Sequence, residues 1–385
     1  MNIPLTRPSI LPEDIELIEE VIRTGWIVQG PKVKEFERMW SEFTGSKFSI
    51  AVSSCTTALH LALIAAGIKS GDEVIVPSFT WIATANAVEY TGARPVFCDI
   101  DLNTYNMQAD NIESLFTKNT KAIIPVHLFG LQADVDGIKA IAKSRGIKII
   151  EDSACGFGAY KNGVHSGLNG DYGCFSFHPR KAITTGEGGM IVTQNDDDAT
   201  LLRSLRDHGS KAKVEGKSRP YLLPDFKILG YNYRLTDIQA ALGIMQMKRA
   251  GEIIKKRRVI ASRYNEALKD DRRLVVPVCR DGYEHGYQSY VCLFRPEEIN
   301  SGNADEINIQ RNEFMQYLSD NGIATRPGTH AVHLQEYYSS RYNLKPDDFP
   351  NSYIAEKCTI ALPLFPGMTD NEFNYVIDII RRYKT

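Results

Sequence analysis

The sequence predicts an α/β fold built on a largely parallel sheet, and three observations carry that prediction. Short β-rich runs alternate with helical patterns over the first two thirds of the chain. Several of these runs are apolar on both faces, as strands covered on both sides must be. The last third mixes strands and helices without that alternation, which marks a smaller α+β unit.

In order, FSIAV (48–52) leads into the helical stretch 53–67, and EVIVP (73–77) leads into FTWIATANAVEYTG (79–92). RPVFCDI (94–100), KAIIPVHL (121–128), IKIIEDSA (147–154), GCFSF (173–177) and GMIVT (189–193) complete a set of seven strands. Parallel neighbours require crossovers, which are right-handed. The segment 234–268 lacks proline and reads as one long helix that leaves one domain and enters another. The division expected from it is a large domain over 1–250 and a smaller one over 251–385. In the smaller part GYQSYVCLF (286–294) reads as strand, and 306–322 and 370–383 read as helices.

Composition bounds the function. The 385 residues are 43% hydrophobic and 24% charged with a net charge of −2, ordinary for a soluble globular protein. No basic block offers a footprint for nucleic acid or an anionic membrane, and no apolar run approaches the roughly 20 residues of a membrane span. The seven cysteines are odd in number and lack CxxC spacing, so neither a disulfide framework nor a metal site is expected. With a polar, acidic start, this fits a cytoplasmic protein.

Ligands of open α/β sheets sit beyond the carboxyl ends of the strands. Thr56 and Thr57 stand there at a helix start, where free N–H groups suit a phosphate and also suit an ordinary cap. Trp81 offers a flat face for a planar ring, or core packing. Asp152 closes an apolar strand, so its carboxylate needs a cationic partner; a protonated pyridine nitrogen or a salt bridge would serve. Lys181 follows the strand GCFSF and could supply the amine of a Schiff base or simply face water. His127 and His178 read as polar support. Together the first four signals supply an anion cradle, a stacking face, an acid for a ring nitrogen and an amine for an aldehyde. Those are the contacts that pyridoxal 5'-phosphate requires. A nicotinamide dehydrogenase is disfavoured because the first strand lacks GxGxxG.

The chain also resembles the DegT/DnrJ/EryC1/StrS sugar aminotransferases through ordered motifs. They include TGWIVQGPKVKEFE (24–37), VSSCTTALHLAL (52–63), PSFTWIATANAV (77–88), EDSA (151–154), FSFHPRKAITTGEGGM (175–190) and GYNYRLTDIQAALG (230–243). The resemblance implies fold type I, the aspartate-aminotransferase-like architecture, with a mostly parallel seven-stranded sheet. It implies that Lys181 carries the cofactor and shuttles the proton, and that Asp152 pairs with its ring nitrogen. It places Trp81 on the ring face, and Thr56, Thr57 and Ser176 at the phosphate. Asn232 would reach the phosphate of a neighbouring subunit, making a homodimer with shared sites. Cys155 stands near the cofactor's phenolic oxygen where relatives carry Gln, His or Glu, so that oxygen's partner is left open.

The implied reaction moves an amine from L-glutamate to C4 of a nucleotide-linked 4-keto-6-deoxy sugar, toward a surface glycan or a deoxyamino sugar. Trp26, Glu187, Arg326, His330 and His333 are the expected substrate contacts. The alternatives are amination at C3 and a non-catalytic cofactor-binding regulator. Some relatives with histidine in place of the lysine eliminate a hydroxyl, and Lys181 argues against that reaction.

Overall fold

A computed structural model describes residues 1–210 and 223–384. The seven expected strands form one sheet: β1 (Phe48–Val52), β2 (Glu73–Pro77), β3 (Arg94–Cys98), β4 (Thr120–Ile123), β5 (Lys148–Asp152), β6 (Tyr172–Ser176) and β7 (Gly189–Thr193). Their spatial order is β1-β7-β6-β5-β4-β2-β3. All neighbouring pairs from β6 to β3 are parallel, whereas β7 runs antiparallel to both β1 and β6.

The period-2 pattern is what lets this sheet be covered twice. Ile50, Val52, Val74, Val76, Ile150 and Ile191 enter one apolar cluster. Ala51, Phe175, Met190 and Val192 enter a second on the other face, and Ile75, Ile123 and Ile149 enter a third. Helix α1 (Pro12–Thr24) and helix α2 (Pro31–Thr44) lie on the second face. There Trp40 of α2 meets Phe157, Phe175 and Phe177 at ring-centroid distances of 4.9, 5.0 and 5.1 Å. Helix α3 (Cys55–Ala65) and helix α4 (Ala83–Tyr90) cover the first face. Seven residues of α3 are buried, as a helix that is apolar nearly all round must be.

The expected single helix over 234–268 is two helices, Asp237–Lys248 and Ala250–Leu268, which part at Arg249. No proline causes the break. Arg249 leaves helical geometry at φ −111°, ψ 7°, and its guanidinium makes two 2.8 Å bonds to the buried carboxylate of Asp14 on α1. A long-range ion pair, absent from any local pattern, ends the first helix. Beyond it a three-stranded antiparallel sheet (Leu274–Val275, Tyr290–Phe294 and Thr359–Leu362) is backed by helices Ala304–Asp320 and Asp370–Arg382. The start of the chain joins this second core, with Ile3 buried in it and bridged to Ile323. Two-residue strands tie the two sheets' surroundings together, since His330–Ala331 pairs with Phe79–Thr80. Among the described residues no helix is long and apolar enough to cross a membrane.

Candidate active site

A cavity of about 390 Å³ opens at the carboxyl ends of the central strands. Ser54, Thr56, Trp81, Asp152, Ser176 and Lys181 all line it. Each arrives for a local reason.

Ser54 follows β1 and caps α3. Its hydroxyl accepts from the Thr57 N–H at 3.1 Å, and the Thr57 hydroxyl accepts in turn from the Ser54 N–H at 3.1 Å. Thr57 is therefore spent on the cap and is not on the cavity wall. The N–H groups of Cys55 and Thr56, in the first turn, have no intrahelical acceptor and remain available to an anion. Gly189, at the start of β7, permits the approach that forms this cradle. A Cβ there would sit 2.5 Å from the Ser54 carbonyl carbon and 2.7 Å from the Cys55 nitrogen.

Lys181 rides on the connection between β6 and β7. Its backbone N–H bonds the His178 carbonyl at 2.8 Å. The chain then folds back, with the Phe177 carbonyl accepting from the Thr185 N–H at 3.0 Å and from the Thr184 hydroxyl at 2.8 Å. Gly186 takes the left-handed conformation at φ +82° that closes the turn. The Lys181 amine donates to the Cys155 sulfur at 3.1 Å.

Asp152 ends β5 and is 5% exposed. One carboxylate oxygen accepts from the Thr84 hydroxyl at 2.8 Å and the other from the Ala154 N–H at 3.1 Å. Burial pushes this carboxyl above its usual range, against the two hydrogen bonds and the charge of Lys181. An acid so placed favours a cationic partner. Beside it Glu151 points the other way and is structural. Its oxygens accept from the N–H groups of Gly167, Asn169 and Gly170 at 2.9, 2.7 and 2.6 Å, and from His127 at 2.7 Å.

The remaining expected residues divide. Glu187 and Arg326 line the cavity. Trp81 is 52% exposed, with the His330 ring 5.7 Å away. His330 is turned to Glu356 at 3.6 Å and stands behind Trp81, off the cavity wall. His333 departs from expectation: it is fully buried, its Nδ1 bonded to the Ser78 hydroxyl at 2.5 Å, so it supports the strand end and meets no solvent. Trp26 is also away from the wall, 57% exposed, with its indole N–H on the Gln29 carbonyl at 3.4 Å. Asn232 is exposed and off the cavity wall, its backbone bridged to Asp207. Sequence reasoning missed Thr84 and Arg180. Thr84 lies inside a quoted motif but its side chain shows no signal until β5 is placed beside α4.

A mostly parallel seven-stranded sheet with a second α+β unit and a lysine-bearing strand end defines a class, the fold type I aminotransferases. The chain belongs to the DegT/DnrJ/EryC1/StrS aminotransferase family, whose profile matches residues 8–381. It is 38% identical over 384 residues to an uncharacterized protein of Methanocaldococcus jannaschii, covering 99% of this chain and 97% of that one. It is 37% identical to the spore coat polysaccharide biosynthesis protein SpsC of Bacillus subtilis, covering 98% and 96%. Its structure is similar to the PLP form of Spr1654 from Streptococcus pneumoniae, described as a sugar aminotransferase (TM-score 0.90, 29% identity, 99% and 98% covered). The same protein has a PMP form of equal TM-score, 0.90.

Aminotransferases of this family depend on pyridoxal phosphate, and the donor set here fits that group. A desolvated carboxylate suits the ring nitrogen, an indole face the ring, free helix N–H groups and the Ser176 hydroxyl a phosphate, and one amine the aldehyde.

Proposed function

We propose that this chain transfers an amino group from L-glutamate to C4 of a nucleotide-linked 4-keto-6-deoxy sugar, as a homodimer with shared sites. The observation that carries the reading is Lys181. Among the described residues it is the only lysine on the cavity wall, and its amine shares that wall with the buried acid Asp152. Kinship with a polysaccharide-biosynthesis protein supports a glycan-directed product. A relative with both PLP and PMP forms supports a two-stage transfer, because these are the two states that amine exchange leaves behind.

Pyridoxal phosphate, when bound, supplies an aldehyde and an electron sink. The chain does the rest. Asp152 keeps a proton at the ring nitrogen. The Cys55 and Thr56 N–H groups, with Ser176, bind the phosphate. Trp81 covers one ring face and keeps water from it. The Lys181 Nζ takes a proton from the amine-bearing carbon of the donor and delivers one to the acceptor carbon. Glu187 and Arg326 contact the sugar or its diphosphate, and Asn232 reaches the phosphate site of the second copy.

The test is a panel of nucleotide-linked 4-keto and 3-keto sugars incubated with glutamate and cofactor, with products located by NMR. An amine at C4 is the expected product. An amine at C3 would replace the regiochemistry alone. Bound cofactor with no turnover on any sugar, and no spectral response to glutamate, would replace the enzyme with a regulator.

A further inference from the structure

Asp152 is held by a hydroxyl that no motif announced. Thr84 is the second residue of α4 and fully buried. Its N–H bonds the Trp81 carbonyl at 3.1 Å, so one short segment delivers the indole to the cavity and the hydroxyl to the acid. The Thr84 Oγ1 lies 2.8 Å from Asp152 Oδ2 and 3.0 Å from the Thr80 Oγ1.

A hydroxyl has one proton to give. An ionised carboxylate can only accept, so Thr84 must give that proton to Asp152. The contact between the threonines then runs from Thr80 to Thr84. If Asp152 took up a proton on Oδ2, that oxygen could donate to Thr84 and the chain could run the other way. The ionised acid thus fixes the direction of this relay, and the relay in turn favours the ionised acid.

We infer that Thr84 is a positioning residue: fed by Thr80, it fixes the Asp152 carboxylate and holds it ionised toward the cavity. The inference rests on the role proposed above for Asp152. The other groups around the acid leave room for it. Lys181 supplies the leading favourable charge on it, ahead of His127. The His127 ring is engaged elsewhere, its Nδ1 accepting from the Ala133 N–H at 3.0 Å and its Nε2 lying 2.7 Å from Glu151. The Cys55 and Cys174 thiols, which also face Asp152, are pushed up by burial and stay protonated. Burial itself drives the acid toward its neutral form, so the anion depends on Lys181, Thr84 and the Ala154 N–H.

The experiment compares Thr84→Val, which keeps the branched shape and removes the hydroxyl, with Thr84→Ser, which keeps the hydroxyl. Pyridoxal phosphate is titrated into each apoprotein by fluorescence, and the visible spectrum of each loaded protein is followed against pH. Thr84→Val should bind the cofactor roughly tenfold or more weakly, the size of a lost hydrogen bond to a charged group. Its spectral titration should shift. Its kcat should fall while KM for glutamate stays within about twofold. Thr84→Ser should restore binding to within about threefold. In an Asp152→Asn background Thr84→Val should change cofactor affinity little, because the two act on one contact. A folded Thr84→Val protein with wild-type affinity and titration overturns the inference. If Thr84→Val does not fold, Thr80→Val decides it: unchanged affinity refutes the relay, and a weaker one supports it. Asp152→Asn separates the two levels. Unchanged cofactor binding there removes the proposed role of Asp152 itself; weakened binding there with none in Thr84→Val removes only the role of Thr84.

Discussion

Replacing Gly189 by alanine should damage both the fold and the cofactor site, and the size of the damage follows from three contacts. The new Cβ would stand 2.5 Å from the carbonyl carbon and the oxygen of Ser54, and 2.7 Å from the nitrogen of Cys55. Ordinary contact begins near 3.4 Å, so the shortfall is close to an ångström. All three atoms are backbone, so no side chain can rotate out of the way. Strand β7 cannot retreat, because Gly189 is in register with Val52 on one side and Ser176 on the other. The start of α3 must move instead. Overpacking of this kind costs about 1–3 kcal/mol. Binding sites tolerate displacements of about 0.5 Å. Losing one well-aimed N–H to a phosphate would then weaken cofactor binding roughly tenfold. Gly188 is the control. A Cβ there meets the Thr185 hydroxyl at 2.5 Å, with ring and methyl carbons at 3.0 and 3.1 Å, all side-chain atoms that can yield. Urea unfolding of the apoproteins and fluorescence titration of pyridoxal phosphate read both effects. The reasoning is refuted if Gly189→Ala unfolds within about 0.5 kcal/mol of the parent with unchanged affinity, or if Gly188→Ala is the more damaging of the two.

Lys181→Ala should abolish turnover and the visible band of the covalently held cofactor while leaving apoprotein stability nearly unchanged; retained activity would remove the central assignment. Asp152→Asn should lower kcat by roughly a hundredfold to several thousandfold, the about 3–5 kcal/mol cost of leaving one partner of a buried charge pair alone. The same change should leave apoprotein stability level or higher, since folding raises this carboxyl's pKa and its ionised form opposes folding at neutral pH. A large drop in apoprotein stability would contradict that sign. Burial lowers the imidazole pKa of His165 to about 4, His285 to about 3 and His333 to about 4. Unfolded histidines take up protons near pH 6.5, so stability should fall as pH drops from there toward 4. Near pH 5 these three sites alone would set a slope of up to about 4 kcal/mol per pH unit. Urea midpoints across that range check it, and a flat profile would count against the burial of these rings.

The strands and their ends were legible because each carries its own signal. FSIAV, EVIVP and IKII are short apolar runs bounded by polar residues, and the residue after each run marks a sheet end. What escaped depends on contacts between distant segments. Arg249 ends a helix through Asp14, and Asp237, inside an apparently continuous helix, caps α2 instead. The Asp237 oxygens accept from the N–H groups of Gly30, Lys32 and Val33 at 2.8, 3.1 and 2.9 Å. His333 carries the same ambiguity. In HAVHLQ two histidines look equally available, and only the pairing of His330–Ala331 with Phe79–Thr80 decides that one faces out and the next turns under the strand.

The reversed strand explains why the lysine is where it is. Two parallel strands need a crossover of about a dozen residues or more, which carries the chain to the opposite end of the sheet. Strands β6 and β7 are antiparallel, so the segment between them returns at the end it left. That end is the one where Asp152 terminates β5 in parallel register with Cys174 of β6. The connection therefore passes the rim where the acid lies, so that His178, Arg180, Lys181 and Glu187 line the cavity while Phe177, Ala182 and Ile183 turn into the core, and the register that sets Gly189 beside Val52 brings the α3 start to the same rim. A lysine on this connection needs no long reach or special helix to share the cavity with Asp152; the direction of a single strand delivers it.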